Sequence, residues 1–281
     1  MKIFDIPEAR HYCRAFVATG GPSEGSLKKY LQGSLKGVSS LQEGTTAFDE
    51  YRGCALRNVD RCLFLAASNY RRAFDLMLPS ASSWAHVTLY YGCFYAASAL
   101  LGMFGTWIFN DRVVVEVNIG SPGNQQLLID RAAKSRSTHN GSHRRFWDLF
   151  YTACNPLVHW VDPAYRFAIE PIGGSVIWQI ETRNLVNYDT FAAYELMRDF
   201  QSGFKPRTFP SSLPGSLSTQ FRVLEALMFI AFGFVRDFKL RTDALQNLTP
   251  IGNRKTKMRS LILNCALPAL HKKSKRRLVS V

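Results

Sequence analysis

The stretch HVTLYYGCFYAASALLGMFGTWIF, residues 86–109, contains no Lys, Arg, Asp or Glu and could be either a membrane span or the buried helix of a protein core. A membrane-spanning helix needs about 20 apolar residues, and this run is long enough. Its interior, however, is interrupted by hydroxyl groups and glycines, and no cluster of Lys or Arg closely flanks either end. The composition therefore favours a helix that is buried on most sides in a protein core. A second apolar run, residues 226–235, is too short to span a bilayer.

The segments before this stretch differ in their pattern. Residues 47–78 place apolar side chains at steps of three and four, which predicts one long helix that ends before Pro79. Residues 1–45 are rich in Gly and Ser, and we expect an irregular segment with one short helix at LKKYL, residues 27–31.

The segments after it mix helical and strand patterns. Residues 112–120 (RVVVEVNIG) predict a strand, and residues 165–181 predict a β-hairpin whose turn contains two glycines. Helical patterns cover residues 125–134, 143–154, 182–200 and 218–245. The predicted fold is mainly α, with a small β-hairpin or sheet insertion and a C-terminal helical extension.

Charge is concentrated at the C-terminal end of the chain. The net charge is +14, and residues 254–281 contain nine basic residues and no acidic one. Such a tail suits a phosphate backbone, an anionic lipid or an acidic partner, although it could also serve only solubility. The six cysteines form no CxxC pair, and the N-terminal residues lack the apolar core of a signal peptide, so we expect a cytoplasmic protein with reduced thiols.

Two sequence patterns resemble the HEPN superfamily of helical nucleic-acid-associated domains. The first is a long helix followed by a closely packed one of the form YYGCFYAASALL, residues 90–101. The second is ETRNLVNYDTF, residues 181–191, which is similar to the HEPN signature in which Arg and a polar residue precede a His. The resemblance covers residues 47–200 and implies a helical bundle that cleaves RNA without a metal ion at a dimer interface.

The resemblance also implies roles for individual residues. Arg183 would bind phosphate, and Asn184 would orient the Arg183 side chain. Tyr188 stands where the family has its His, and Asn187 lies on the same helical face as Arg183. A tyrosine has a pKa near 10, which makes it a poor base at neutral pH. The candidate RNA-binding residues are Asn187, His143, Arg144, Arg145, Lys272, Lys273, Arg276 and Arg277.

Other readings remain open at this point. In the segment RSTHNGSH, residues 136–143, six residues separate an Arg from a His, which is also compatible with the HEPN signature. The composition of this segment is, however, typical of a loop. His86 could face Arg183 or be satisfied in the core. His139, His143, Cys154 and His159 lack the spacing of a structural zinc site, so we expect no metal and no cofactor. No phosphate-binding loop, dinucleotide fingerprint or serine-hydrolase elbow occurs.

The functional prediction has two forms. The first is a HEPN-like protein that binds RNA or cleaves it without metal, in antiviral defence or a toxin system, as a homodimer or a subunit of a larger complex. The alternative is a catalytically inactive HEPN-like scaffold that binds a partner protein or nucleic acid; a membrane-associated effector is a third, less favoured class. The expected domain organisation is an irregular segment (1–45), a HEPN-like domain with a β insertion (46–200), a Pro/Ser linker (201–217) and a C-terminal helix with a basic tail (218–281).

Overall fold

The computed structural model shows α-helices and a four-stranded sheet in the part of the chain that it describes. That part comprises residues 6–18, 27–76, 81–109, 113–118, 123–130, 142–176, 178–189, 193–195, 198, 215–238 and 240. The helices are α1 (Ile6–Ala18), α2 (Leu27–Gln32), α3 (Thr46–Asp75), α4 (Ser82–Met103), α5 (Ser142–Cys154), α6 (Trp178–Tyr188) and α7 (Gly215–Asp237). The strands are β1 (Ser40–Gln42), β2 (Trp107–Phe109), β3 (Val113–Asn118) and β4 (Gln126–Asp130), and 3-10 helices cover Asn155–His159 and Pro163–Ala168. The prediction of a mainly α fold with a small β component is confirmed.

Helix α4 is the central element, as the uncharged stretch predicts. It packs against α1, α3, α5, α6 and α7, and buried side chains occur on all of its faces. A helix that is apolar all round needs such complete enclosure, because any solvent-facing side would expose apolar surface. Buried residues from Ile6 to Phe238 belong to one core that surrounds α4.

Helix α4 ends in a Schellman motif. Gly105 has φ +72°, its N–H donates to the Gly102 carbonyl, and the Thr106 N–H donates to the Leu101 carbonyl, both at 3.0 Å. Only glycine adopts this left-handed conformation without strain, and the turn redirects the chain into β2. The apolar stretch of residues 86–109 is thus a helix, a turn and a strand, which shortens its helical part.

Close packing at two glycines fixes the neighbours of α4. A Cβ added at Gly102 would overlap the Trp107 indole and lie 2.8 Å from Val59 Cγ2, whereas one added at Gly92 would meet the flexible end of Leu224 at 2.6 Å. We expect Gly102→Ala to lower the free energy of unfolding by about 1–3 kcal/mol, because the buried indole must move. Urea unfolding followed by circular dichroism measures this, with Gly92→Ala as the control. Equal losses for the two variants would contradict the prediction.

Helix α7 is the one described helix that is long and apolar enough to cross a bilayer. Residues Leu217–Asp237 meet the length and hydropathy criteria, which corrects the reading that this region is too short. The correction arises because the helix extends well beyond its ten-residue apolar run. In this structure 78% of the apolar window is buried against other elements of the protein, and α7 packs on α3 and α4.

The sheet is antiparallel with strand order β1-β4-β3-β2. Strand β4 corrects the prediction of a helix over residues 125–134: Leu127 and Ile129 are buried, whereas Leu128 between them is exposed. This alternation has the period of a strand, and pairing with both β1 and β3 satisfies its backbone.

Two other segments also differ from their predictions. The expected β-hairpin of residues 165–181 is replaced by the second 3-10 helix, a single bridge between Ile172 and Ser175, and the start of α6. Only its glycine turn forms, with positive φ at Gly173 and Gly174. The N-terminal segment that was expected to be irregular forms α1, α2 and β1, and its apolar residues belong to the core.

Glu43 connects this N-terminal segment to the rest of the fold. Its carboxylate accepts hydrogen bonds from the backbone N–H groups of Gly123 (3.0 Å) and Gln125 (2.9 Å), and it lies 2.9 Å from His11 Nε2. The buried Arg52 guanidinium lies 3.8 Å away. The carboxylate therefore ties α1, α3 and the loop before β4 together.

Candidate functional site

One tyrosine of the central helix contacts two of the residues that the sequence singles out. The Cζ atom of Arg183, on α6, lies 4.9 Å from the centroid of the Tyr90 ring. The Tyr90 hydroxyl lies 2.7 Å from Nδ1 of His143, which is in the first turn of α5. Residues from three helices that are far apart in sequence therefore meet at one point.

Arg183 has a positive charge that no carboxylate compensates within the described residues. Its Nε and Nη2 groups donate hydrogen bonds of 3.1 and 2.6 Å to Oδ1 of Asn184, which is the neighbour expected to orient it. The described salt bridges do not include Arg183. A half-buried guanidinium that is held by neutral groups can bind a phosphate oxygen with two parallel hydrogen bonds.

Tyr90 remains neutral in this arrangement. Burial raises the pKa of its hydroxyl to about 12, and the nearby Arg183 charge offsets only part of that effect. A neutral phenol leaves the charge of Arg183 uncompensated, whereas a carboxylate at the same position would neutralise it.

His143 is ordered by aromatic neighbours from α4. Its ring centroid lies 5.7 Å from that of Tyr90, 6.3 Å from that of Tyr91 and 5.2 Å from that of Phe94. The residue as a whole is half-buried. An imidazole with a fixed orientation in such a residue is suited to proton transfer near neutral pH.

The other predicted site residues lie in different surroundings. Tyr188 is the last residue of α6 and is 78% exposed; a spacing of five residues points it about 140° away from Arg183 around the helix. Asn187 is exposed and lies four residues after Arg183, on the same side of the helix. No described contact brings Tyr188 to Tyr90 or His143, so His143 takes its place as the candidate base.

The basic candidates also divide by exposure. Arg144 is exposed, whereas Arg145 is buried, with 7% of its surface accessible, so it offers little surface for RNA contact. The four tail candidates lie outside the described residues: Lys272, Lys273, Arg276 and Arg277. Arg136 and His139 lie outside them as well.

His86 does not belong to this group. It is fully buried, and its Nδ1 lies 2.9 Å from Oε1 of Gln220 on α7, so its role is in the core. Since an amide oxygen only accepts hydrogen bonds, His86 donates from Nδ1. Burial lowers the pKa of His86 to about 4, and the bond to Gln220 opposes that effect in part.

We expect this buried imidazole to make folding sensitive to acid. The unfolded chain binds a proton at His86 near pH 6.5, but the folded protein does so only near pH 4. The contribution of His86 to stability is therefore complete above pH 6.5 and is lost as pH falls toward 4, with a total of ~3 kcal/mol. The free energy of unfolding, measured by urea titration at several pH values, should fall less steeply in His86→Gln over this interval. Parallel pH profiles of the two proteins would contradict this prediction.

No group of three or more His, Cys, Asp or Glu suited to a metal ion occurs among the described residues. Cys154 is buried and burial raises the pKa of its thiol well above the usual range, while His159 is exposed, so these two candidates do not form a ligand pair. The five described cysteines are buried and form no disulfide with one another.

A separate cleft of about 430 Å³ lies along the last three turns of α3, lined by Phe64, Ser68, Arg71, Arg72, Asp75 and Leu76. Its two arginines are near the C-terminal end of the helix, where the helix dipole favours cations and disfavours anions. The position at the end of the helix accounts for the two arginines. The cleft includes none of the residues around Tyr90.

Sequence reasoning identified Arg183, Asn184 and His143 but did not join the arginine to the histidine. The two are separated by 40 positions, so no local motif could pair them. No protein-family profile matches the chain, and no curated protein or solved structure is significantly similar to it.

Proposed function

We propose that this is a HEPN-like protein that binds RNA and cleaves it without a metal ion at the Tyr90 site. The observation that carries the proposal is the pair of contacts on Tyr90: on one side an arginine that has no carboxylate partner among the described residues, and on the other a histidine. A cation for phosphate and a group for proton transfer are the two components that such cleavage requires.

The proposed reaction uses the 2′-hydroxyl of the RNA as nucleophile. His143 accepts its proton while O2′ attacks the adjacent phosphorus atom, and the bond to the 5′-oxygen of the next nucleotide breaks. That oxygen takes up a proton from water and His143 then releases its proton to solvent, which leaves a 2′,3′-cyclic phosphate and a 5′-hydroxyl end. Arg183 stabilises the negative charge that builds on the phosphate oxygens. For Nε2 of His143 to accept the proton, Nδ1 must carry the ring hydrogen and donate it to the Tyr90 hydroxyl oxygen, which lies 2.7 Å away.

The charge of the chain supports RNA as the ligand. The net charge is +14, and nine of the basic residues lie after position 253. From the resemblance we further propose a cytoplasmic protein of a defence or toxin system that acts as a homodimer or within a larger complex.

We expect the basic tail to contribute to RNA affinity by counterion release. The slope of log affinity against log salt should become about 3 less negative when four tail residues are replaced by Gln: Lys272, Lys273, Arg276 and Arg277. This value follows if each of them contacts one phosphate of a single strand. Fluorescence anisotropy with a single-stranded RNA between 50 and 200 mM salt, roughly the range over which such losses are large, measures the slope. An unchanged slope would assign the tail to solubility or to protein contacts.

The alternative is a catalytically inactive HEPN-like scaffold, and one observation favours it. Leu185 and Tyr188, three residues apart on α6, are 52% and 78% exposed, and together they offer apolar surface to a partner protein.

Cleavage in a chelator separates the two functions. Purified protein is incubated with single-stranded RNA in EDTA, and the ends of the products are identified. A 2′,3′-cyclic phosphate supports the nuclease. Binding without cleavage under all conditions would leave the scaffold.

A further inference from the structure

We infer that Tyr90 is the positioning residue of this site: the face of its ring holds the Arg183 guanidinium, and its hydroxyl sets the orientation of the His143 imidazole. The inference rests on the proposed function for its chemical consequence, but its structural part can be tested without RNA.

The two contacts use different parts of the same side chain. Arg183 lies over the π face, at 4.9 Å from the ring centroid, whereas His143 meets the hydroxyl at 2.7 Å. The contacts can therefore be removed separately: phenylalanine keeps the face and loses the hydroxyl, and leucine loses both.

The position of Tyr90 in the fold makes it a rigid reference point. It is fully buried in the central helix, whereas Arg183 and His143 lie on α6 and α5, which approach α4 from outside. The flanking rings Tyr91 and Phe94 also contact His143, so the imidazole is held from several sides. A site that joins two peripheral helices needs one such fixed residue between them.

The chemical type of the residue matters as well. A carboxylate at position 90 could bond His143, but it would pair with Arg183 and reduce its charge toward phosphate. The tyrosine hydroxyl bonds the imidazole without a formal charge. Because that bond engages Nδ1, it also determines which ring nitrogen faces the reaction.

The test compares Tyr90→Phe and Tyr90→Leu in the full-length protein by NMR. The ¹⁵N signals of the His143 ring are assigned by their loss in His143→Ala, and the Nε–H signal of Arg183 by its loss in Arg183→Ala. In Tyr90→Phe we expect the His143 Nδ1 signal to move while the ring-current shift of the Arg183 signal persists. In Tyr90→Leu both should change. Tyr95→Phe, which removes a hydroxyl elsewhere on α4, should change neither.

Kinetics provide the second measurement. The maximal rate of RNA cleavage should fall about tenfold in Tyr90→Phe, the expected effect of one lost hydrogen bond. Affinity for a 2′-O-methyl oligouridine, which cannot be cleaved, should stay within about twofold of the parent. Thermal melts establish whether the variants are folded. If Tyr90→Leu is unfolded, Tyr90→Phe alone decides the inference.

An unchanged His143 signal in Tyr90→Phe would overturn the positioning role of the hydroxyl. Loss of the Arg183 ring-current shift in the same variant would overturn the separation of the two contacts. A wild-type protein that cleaves no RNA would instead refute the proposed nuclease, and the NMR result would still decide the role of Tyr90.

Discussion

Arg183→Ala should reduce RNA cleavage by about 10²–10³-fold while the protein remains folded. The guanidinium supplies a permanent positive charge to the phosphate, and loss of a single preorganised donor of this kind has effects of that size. Its structural contacts are a cation–π interaction with Tyr90 and two hydrogen bonds to its neighbour Asn184, so the cost to stability should be about 1 kcal/mol.

The control for this experiment is Arg222→Ala. Arg222 lies on α7 with its Cζ atom 5.5 Å from the ring centroid of Phe167, so it makes the same kind of contact away from Tyr90. Its replacement should affect stability to a similar extent and leave cleavage unchanged. Arg183→Lys keeps the charge but loses the paired donors, and we expect intermediate activity. Equal activity of Arg183→Ala and Arg222→Ala would exclude Arg183 from the reaction.

Periodicity was sufficient to predict the helices that bury a continuous face. Helix α3 begins one residue before the predicted start and ends three residues early, with Thr45 capping it by accepting a hydrogen bond from the Phe48 N–H. Helix α5 also agrees closely with its prediction. In both, the local pattern of apolar residues and the tertiary burial favour the same structure.

The β elements show where local pattern is insufficient. Residues 126–130 contain Gln and Leu residues that are compatible with a helix, and only pairing with β1 and β3 selects a strand. Residues 165–181 contain the β-branched and aromatic side chains of a hairpin, but Pro163 begins a 3-10 helix there and Trp178 begins α6. Long-range contacts of this kind cannot be read from a single segment.

The sequence indicated Arg183, Asn184 and His143 as members of the candidate site, but neither Tyr90 nor the arrangement could be predicted from it. The motif around Arg183 is local, and Asn184 contacts it as an adjacent residue. His143 reaches the same site through Tyr90, from a helix 40 residues away, because α5 and α6 both pack on α4. The position at which the family has its histidine, Tyr188, faces solvent instead.

This arrangement leads to the second large prediction, which concerns His143. His143→Ala should lower the rate of RNA cleavage by about 10²–10⁴-fold, the usual contribution of a positioned acid or base. Binding of the uncleavable 2′-O-methyl oligouridine should change little, because Arg183 keeps its charge and its contact with Tyr90. The loss should therefore appear in the maximal rate and not in the affinity for RNA.

Two control variants distinguish this geometry from the local motif. His159→Ala removes an exposed histidine from the first 3-10 helix and should have no effect. Tyr188→Phe and Tyr188→His should also match the parent, since that side chain is 78% exposed and points away from Arg183. If Tyr188→Phe lost activity while His143→Ala retained it, Tyr188 and not His143 would be the functional residue. The protein would then act through a surface that includes Tyr188 instead of the site around Tyr90.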